Sequence, residues 1–179
     1  RQLMDAVAKH VASRAGELSP VDIASLVFAY AELAHSPRNN LLEACAERLE
    51  ACYLEVGGPN CAIILNSYAR LGECNPTLFR SLARSVVHTE PGSFQVHHIS
   101  LVMNAFAKCL VRKSQTMHVL GDMLSTRTEE MSPQNVANVV HAFSRLSCYN
   151  VQLFQNLVTR VASEDLQRYK IYELGVLCH

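Results

Sequence analysis

No apolar run in the 179-residue chain approaches the roughly 20 residues needed to cross a bilayer as a helix. It has no Gly/Ser linker, no low-complexity tract and no disordered acidic tail, so composition describes an ordinary globular chain long enough for a continuous core. Net charge is absent too: sixteen Lys and Arg balance sixteen Asp and Glu. That counts against a dedicated nucleic-acid domain, which usually has a pI above about 9. There is no glycine-rich phosphate loop, no His-Glu-x-x-His and no nucleophile elbow. The carboxylates are scattered without a pair set in an evident apolar pocket. The expectation is a protein that is not an enzyme, with no catalytic residue, no cofactor and no metal.

Cysteine and histidine do not alter that expectation. The seven cysteines form no Cys-x-x-Cys and no Cys/His pairing at zinc spacing. Cys61, Cys109 and Cys178 fall on columns that read as core, where a cysteine acts as a small hydrophobe. Their odd, unpatterned number points to a reducing compartment. His97 and His98 are the only adjacent histidines, and neighbours on a helix point about 100° apart, poor geometry for sharing a metal.

What the chain does contain is a repeat. Tyr30, Tyr68, Phe106 and Phe143 are spaced 38, 38 and 37 residues apart, each flanked by small residues. Met4, Leu42, Phe79, Met117 and Phe154 form a second column at 38, 37, 38 and 37. Around both columns apolar residues step by three and four, as in Val136, Val139, Val140, Phe143 and Leu146, which is the amphipathic-helix period. Each repeat is therefore two helices, A with the first column and B with the second. Ser19-Pro20, Ser132-Pro133 and Asn75-Pro76 place caps and prolines at helix starts, while Gly57-Gly58-Pro59 and Pro91-Gly92 break the chain before A helices. No run alternates apolar and polar residues, so no strand is expected.

Such a period is the signature of stacked helical hairpins. The predicted fold is all-α, a right-handed α-solenoid with A helices on the concave side and a period of 37 to 38 residues. Its boundaries are a half-repeat over about 1–17, repeats over about 18–55, 56–92, 93–130 and 131–165, and a partial repeat over 166–179. Small residues at Ala8, Ala46, Ala83 and Gly121, and at Ala31, Ala69, Ala107 and Ser144, suit close stacking. Arg1 opens within or just before a B helix, and Leu174, Leu177 and Cys178 begin another A pattern. The chain thus reads as a piece of a longer array, or one whose ends are covered by other proteins of an assembly.

The surface to inspect is the A-helix stripe containing Asn135, Asn138, Ala142 and Arg145, which step by three, four and three. Its equivalents are Asn60, Ile63, Ser67 and Arg70 in the second repeat and His98, Leu101, Ala105 and Lys108 in the third; Asn66, Asn104 and His141 lie beside it. From Pro59 to Leu71, Val96 to Cys109 and Pro133 to Leu146 there is no Asp or Glu. Asn and Arg can pair with base edges, and Arg or Lys with phosphate. The candidate RNA-binding residues are Asn60, Asn66, Arg70, His98, Asn104, Lys108, Asn135, Asn138, His141 and Arg145. Helix dipoles alone also favour basic residues in last turns, so protein-only scaffolding stays open beside nucleic-acid contact. The first repeat departs from the pattern, with Asp22, Ser25, Phe28 and Glu32.

The segment from Ser132 to Leu146, with its Ser-Pro-Gln, aliphatic-Ala-Asn and small-aromatic-small elements before Arg145, resembles the first helix of an octotricopeptide repeat. Leu18 to Leu33 is a fainter copy, and the mixed spacing is equally similar to the heptatricopeptide repeats of apicomplexan parasites. That resemblance implies an organellar RNA-associated solenoid, placed in the mitochondrial matrix or alternatively a plastid, binding or stabilising RNA and plausible as a mitoribosome component on ribosomal RNA. The RAP domain many members carry is not found. The other reading is a scaffold subunit of a large mitochondrial complex without RNA contact. No membrane partner is expected.

Overall fold

The structure is a computed structural model that describes residues 2–37, 40–163 and 166–177. Among them are ten α-helices and no strand, consistent with an α-solenoid. Among the described residues no helix is long and apolar enough to cross a membrane. The chain divides into two compact units, Arg1–Thr89 and Glu90–His179. The expected boundary near 165, the expected helical position of Arg1 and the expected core position Cys178 lie outside the described residues.

In the first unit α1 (Gln2–Ala12), α3 (Leu41–Ala51) and α5 (Pro76–His88) are the B helices, and α2 (Pro20–Glu32) and α4 (Gly58–Leu71) are the A helices. Like packs on like: α1 on α3, α3 on α5, and α2 on α4. The second unit repeats this with A helices α6 (Val96–Lys108), α8 (Pro133–Leu146) and α10 (Ile171–Leu177), and B helices α7 (Ser114–Ser125) and α9 (Val151–Ser163). There α6 packs on α8, α8 on α10, and α7 on α9. The first column is interior throughout, with Tyr30, Tyr68, Phe106 and Phe143 no more than 1% exposed. In the first unit the two tyrosine hydroxyls also donate across repeats at 2.7 Å, Tyr30 to the Met4 carbonyl and Tyr68 to that of Leu42. Cys61 is buried, whereas Cys109 is only half-buried. Cys45, Cys52, Cys61 and Cys148 are free thiols, and burial pushes Cys45 and Cys61 up to about 11. Cys74 and Cys109 are not free thiols.

Three further periodic features are backbone devices. Each B helix is followed by a single 3-10 turn, at Ala15–Glu17, Tyr53–Glu55, Pro91–Ser93, Thr128–Glu130 and Leu166–Arg168. Gly58 and Pro59, expected to break the chain, instead open α4 after the N-cap Gly57. Each of α2, α4, α6 and α8 ends in a left-handed residue: Ala34, Gly72, Leu110 and Ser147 have φ of 47°, 81°, 53° and 53°. The next amide then closes onto the aromatic column's own carbonyl: His35 to Tyr30, Glu73 to Tyr68, Val111 to Phe106 and Cys148 to Phe143, at 2.9 to 3.1 Å. This is the Schellman closure, for which glycine is the usual residue. Only Gly72 is free of the Cβ penalty of about 1–2 kcal/mol. Leu110 is 56% exposed and so gives up little packing on removal. The expected result for Leu110→Gly is therefore a stabilisation of about 1 kcal/mol by chemical denaturation.

The third device ties each A helix to its own B helix. The carbonyl just before each A-helix N-cap belongs to Leu18, Val56, Phe94 or Met131, and each accepts a side-chain donor from the B-helix side. Arg48 Nε reaches Leu18 at 3.1 Å, Ser85 Oγ reaches Val56 at 2.8 Å, and Arg160 reaches Met131 at 2.7 Å while also donating to Thr128. In the third repeat Met123 stands where Arg48, Ser85 and Arg160 stand in the others, and thioether sulfur cannot donate. Arg127, one turn further on, takes over and reaches Phe94 at 2.6 Å. Gly121 shows how tightly the B helices stack. A Cβ there would lie 2.8 Å from Asn150 Nδ2, and that amide donates to Asp122 while its oxygen caps α9 through the Leu153 amide.

Candidate nucleic-acid interface

Helix periodicity gives every A helix one row that faces away from its B partner. Ser67, Ala105 and Ala142, expected on that row, are buried against the neighbouring helices. The solvent-facing rows instead pass through Asn66 in the first unit and through Asn104 and His141 in the second. In α4 the row comprises Asn60, Ile63 and Asn66, all half-buried, and exposed Arg70. In α6 it comprises His98, Leu101 and Asn104, all half-buried, and exposed Lys108. In α8 it comprises half-buried Asn135 and Asn138, then exposed His141 and Arg145. In α2 the same row is Asp22, Ser25, Phe28 and Glu32, all exposed.

The row divides into side chains used by the fold and side chains left over. Asn135 belongs to the fold: its Oδ1 accepts from the Ser132 amide and hydroxyl, closing a capping box, and its Nδ2 donates to Ser100 at 2.8 Å. Asp22 does the same for α2 through Ser19, and that hydroxyl and amide hold its carboxyl below the usual range. Asn60 and His98 occupy the same third-residue position in α4 and α6. Their N-caps, Gly57 and Gln95, make no side-chain cap, so neither residue is drawn into a capping box. Asn138 accepts from Gln134 at 3.2 Å. Among the described residues, the side chains of Asn60, Asn66, Asn104 and His141 have no hydrogen-bonding partner in the molecule.

The basic residues divide similarly. Arg70 pairs with Glu32 and donates to the Ala31 carbonyl at 3.1 Å, and Arg145 Nε donates to the Ala107 carbonyl at 3.0 Å. Both therefore cap the C-terminal carbonyls of the preceding A helix, where the dipole favours a cation. Among the described residues the terminal nitrogens of Arg145 have no protein partner, so this use occupies one edge of the guanidinium. Lys108 is exposed. The rings of His97 and His98 lie with centroids 3.9 Å apart and tilted by 44°. His98 Nδ1 is buried without a partner, and burial, then His97, holds this imidazole below the usual histidine value. A neutral imidazole there retains one N–H donor and one acceptor. Among the described residues no cluster of His, Cys, Asp or Glu is suited to a metal ion. The Arg70 and Arg145 capping bonds were hidden in the sequence; their spacing of 38 or 39 residues from the carbonyls they reach was the available signal.

A family model described as RESC6: RNA-editing substrate-binding complex 6 protein matches residues 1–171. The chain belongs to the RESC6 family. No curated protein matches it. Membership of the RESC6 family implies involvement in an RNA-editing, RNA-associated assembly, and the all-helical fold agrees with a helical protein of that kind. The RESC6 match runs through all four complete hairpins, so the A-helix row lies wholly inside it.

Proposed function

We propose that this protein contacts RNA through the solvent-facing row of its A helices, as a non-catalytic component of an RNA-editing substrate-binding assembly in an organelle, with the mitochondrial matrix as its site. The observation that carries this reading is a half-buried amide with no partner among the described residues at one repeat position, Asn66 in the first unit and Asn104 in the second. A buried or half-buried amide that the fold does not use has donor and acceptor capacity to offer a base edge. Lys108, the free edge of Arg145 and His141 supply phosphate or sugar contacts beside it. Asn135 takes no direct part, because its hydrogen-bonding capacity is spent on Ser132 and Ser100. A right-handed solenoid of octotricopeptide or heptatricopeptide type is the architecture we propose for these hairpins. Ribosomal RNA in a mitoribosome is a narrower form of the same reading.

Ultraviolet crosslinking of the native protein in its complex, with nucleotides mapped to peptides, tests the reading. Crosslinks are expected on 58–71, 96–108 and 133–146. Asn66→Ala with Asn104→Ala should weaken RNA binding by about 1–3 kcal/mol for each base these amides read. Intact protein partners with no RNA on these peptides would make the chain a scaffold, a reading to which the balanced net charge already lends weight.

A further inference from the structure

Helix α5 carries a charge pattern that the fold does not use. Its exposed side chains are Pro76, Thr77, Arg80, Arg84 and His88, and it contains no Asp or Glu. Arg80, Arg84 and His88 recur every four residues, so they lie along one stripe with a rise of about 6 Å between them. Like charges at this spacing destabilise a helix by themselves. Among the described residues neither arginine forms an ion pair or a hydrogen bond. The adjoining helix α3 carries Glu43, Glu47 and Glu50, but these answer the stripe only at a distance. Burial, then Glu47, pushes the Glu50 carboxyl up, and Arg80 opposes that shift without pairing to it.

The composition of the stripe points to the class of ligand. Leu78, Phe79, Leu82, Ala83 and Val86 are buried and Val87 is half-buried, so no large apolar anchor is offered. Protein interfaces are centred on such anchors. What α5 presents instead is a line of donors: two guanidiniums, the Thr77 hydroxyl, the half-buried Ser81 hydroxyl and the His88 ring. Evenly stepped donors with no apolar centre suit a phosphodiester backbone, which is bound mainly through charge and phosphate oxygens. The flanking carboxylates of α3 confine a polyanion to α5 itself.

We infer that α5 is a second, sequence-independent RNA contact, in which Arg80 and Arg84 bind successive backbone phosphates. This rests on the reading that the protein binds RNA, and it adds a site that holds the strand without reading it. The test uses the whole protein with a fluorescein-labelled single-stranded RNA of mixed sequence, titrated by anisotropy over a range of salt. Removing one phosphate-binding side chain on a single strand lowers the slope of log affinity against log salt by about 0.7. Arg80→Gln with Arg84→Gln should therefore flatten the slope by about 1.4 and weaken all RNA sequences alike. Circular dichroism should remain native, since both side chains are exposed. An unchanged slope overturns the proposal, as does loss of a protein partner with RNA affinity retained. Crosslinks mapped on the unsubstituted protein give a check that does not depend on the variants: nucleotides on 76–88 support the site, and their confinement to the A helices overturns it. If the unsubstituted protein binds no RNA, the A-helix reading fails as well; if Asn66→Ala weakens binding and the arginine pair does not, only the α5 site fails.

Discussion

Replacing Phe143 by alanine should cost about 3–5 kcal/mol and lower the thermal midpoint by about 6–20 °C. The ring is 1% exposed in α8 and meets Phe154 of α9 edge-on at a centroid distance of 5.4 Å, joining the two helices of the fourth repeat. Phe154 in turn stacks on Tyr149 at 4.8 Å, so truncating Phe143 leaves a cavity whose wall is itself held in place and cannot collapse freely. The Schellman bond from Cys148 ends on the Phe143 backbone carbonyl and survives the substitution, so helix content should stay near native at low temperature. A melt unchanged within error would mean that the aromatic column does not carry the packing assigned to it.

Arg160→Met should be nearly as damaging, at about 3 kcal/mol. Arg160 is 6% exposed, and its guanidinium donates to the Thr128 and Met131 carbonyls, which lie in the turn leading into α8. Hydrogen bonds from a charged donor are worth about 1.5–3 kcal/mol each, and two buried carbonyls would be left without that donor. Methionine retains much of the apolar stem, so the loss reports hydrogen bonding more than volume. Urea denaturation monitored by circular dichroism measures it. The third repeat provides a natural comparison, because Met123 already occupies the equivalent position and Arg127 has assumed the bond to Phe94. Stability unaffected by Arg160→Met would show that the carbonyl tie is dispensable.

The resemblance to octotricopeptide repeats and the RESC6 family match meet on the same general class, an RNA-associated helical protein, and the match adds an RNA-editing assembly to it. The structure changes how individual candidate residues are weighed. Ten positions were candidates for one role, yet the fold employs Asn135, Arg70 and Arg145 as caps and leaves Asn60, Asn66, Asn104 and His141 without partners among the described residues. Sequence spacing treats all of these as equivalent because it records side-chain type and helical phase. Whether an amide is spent depends on the N-cap three residues earlier, serine at 132 but glycine at 57 and glutamine at 95.

By itself the sequence determined that the chain is all-helical and which aromatic positions of the A helices are buried. Burial of an apolar stripe is a local, repeated requirement, and a residue's place on a 3.6-residue period can be read without knowing its neighbours. Tertiary structure alone decided three things. Ala34, Leu110 and Ser147 adopt the left-handed turn that only Gly72 advertises, because the closing hydrogen bond outweighs the Cβ penalty once the aromatic carbonyl is in place. Arg48, Ser85, Arg127 and Arg160 serve one carbonyl position from chemically different side chains, a substitution visible only when donor and acceptor are brought together. Arg70 and Arg145 are likewise engaged by the Ala31 and Ala107 carbonyls, 39 and 38 residues away, and those bonds exist only in the packed state.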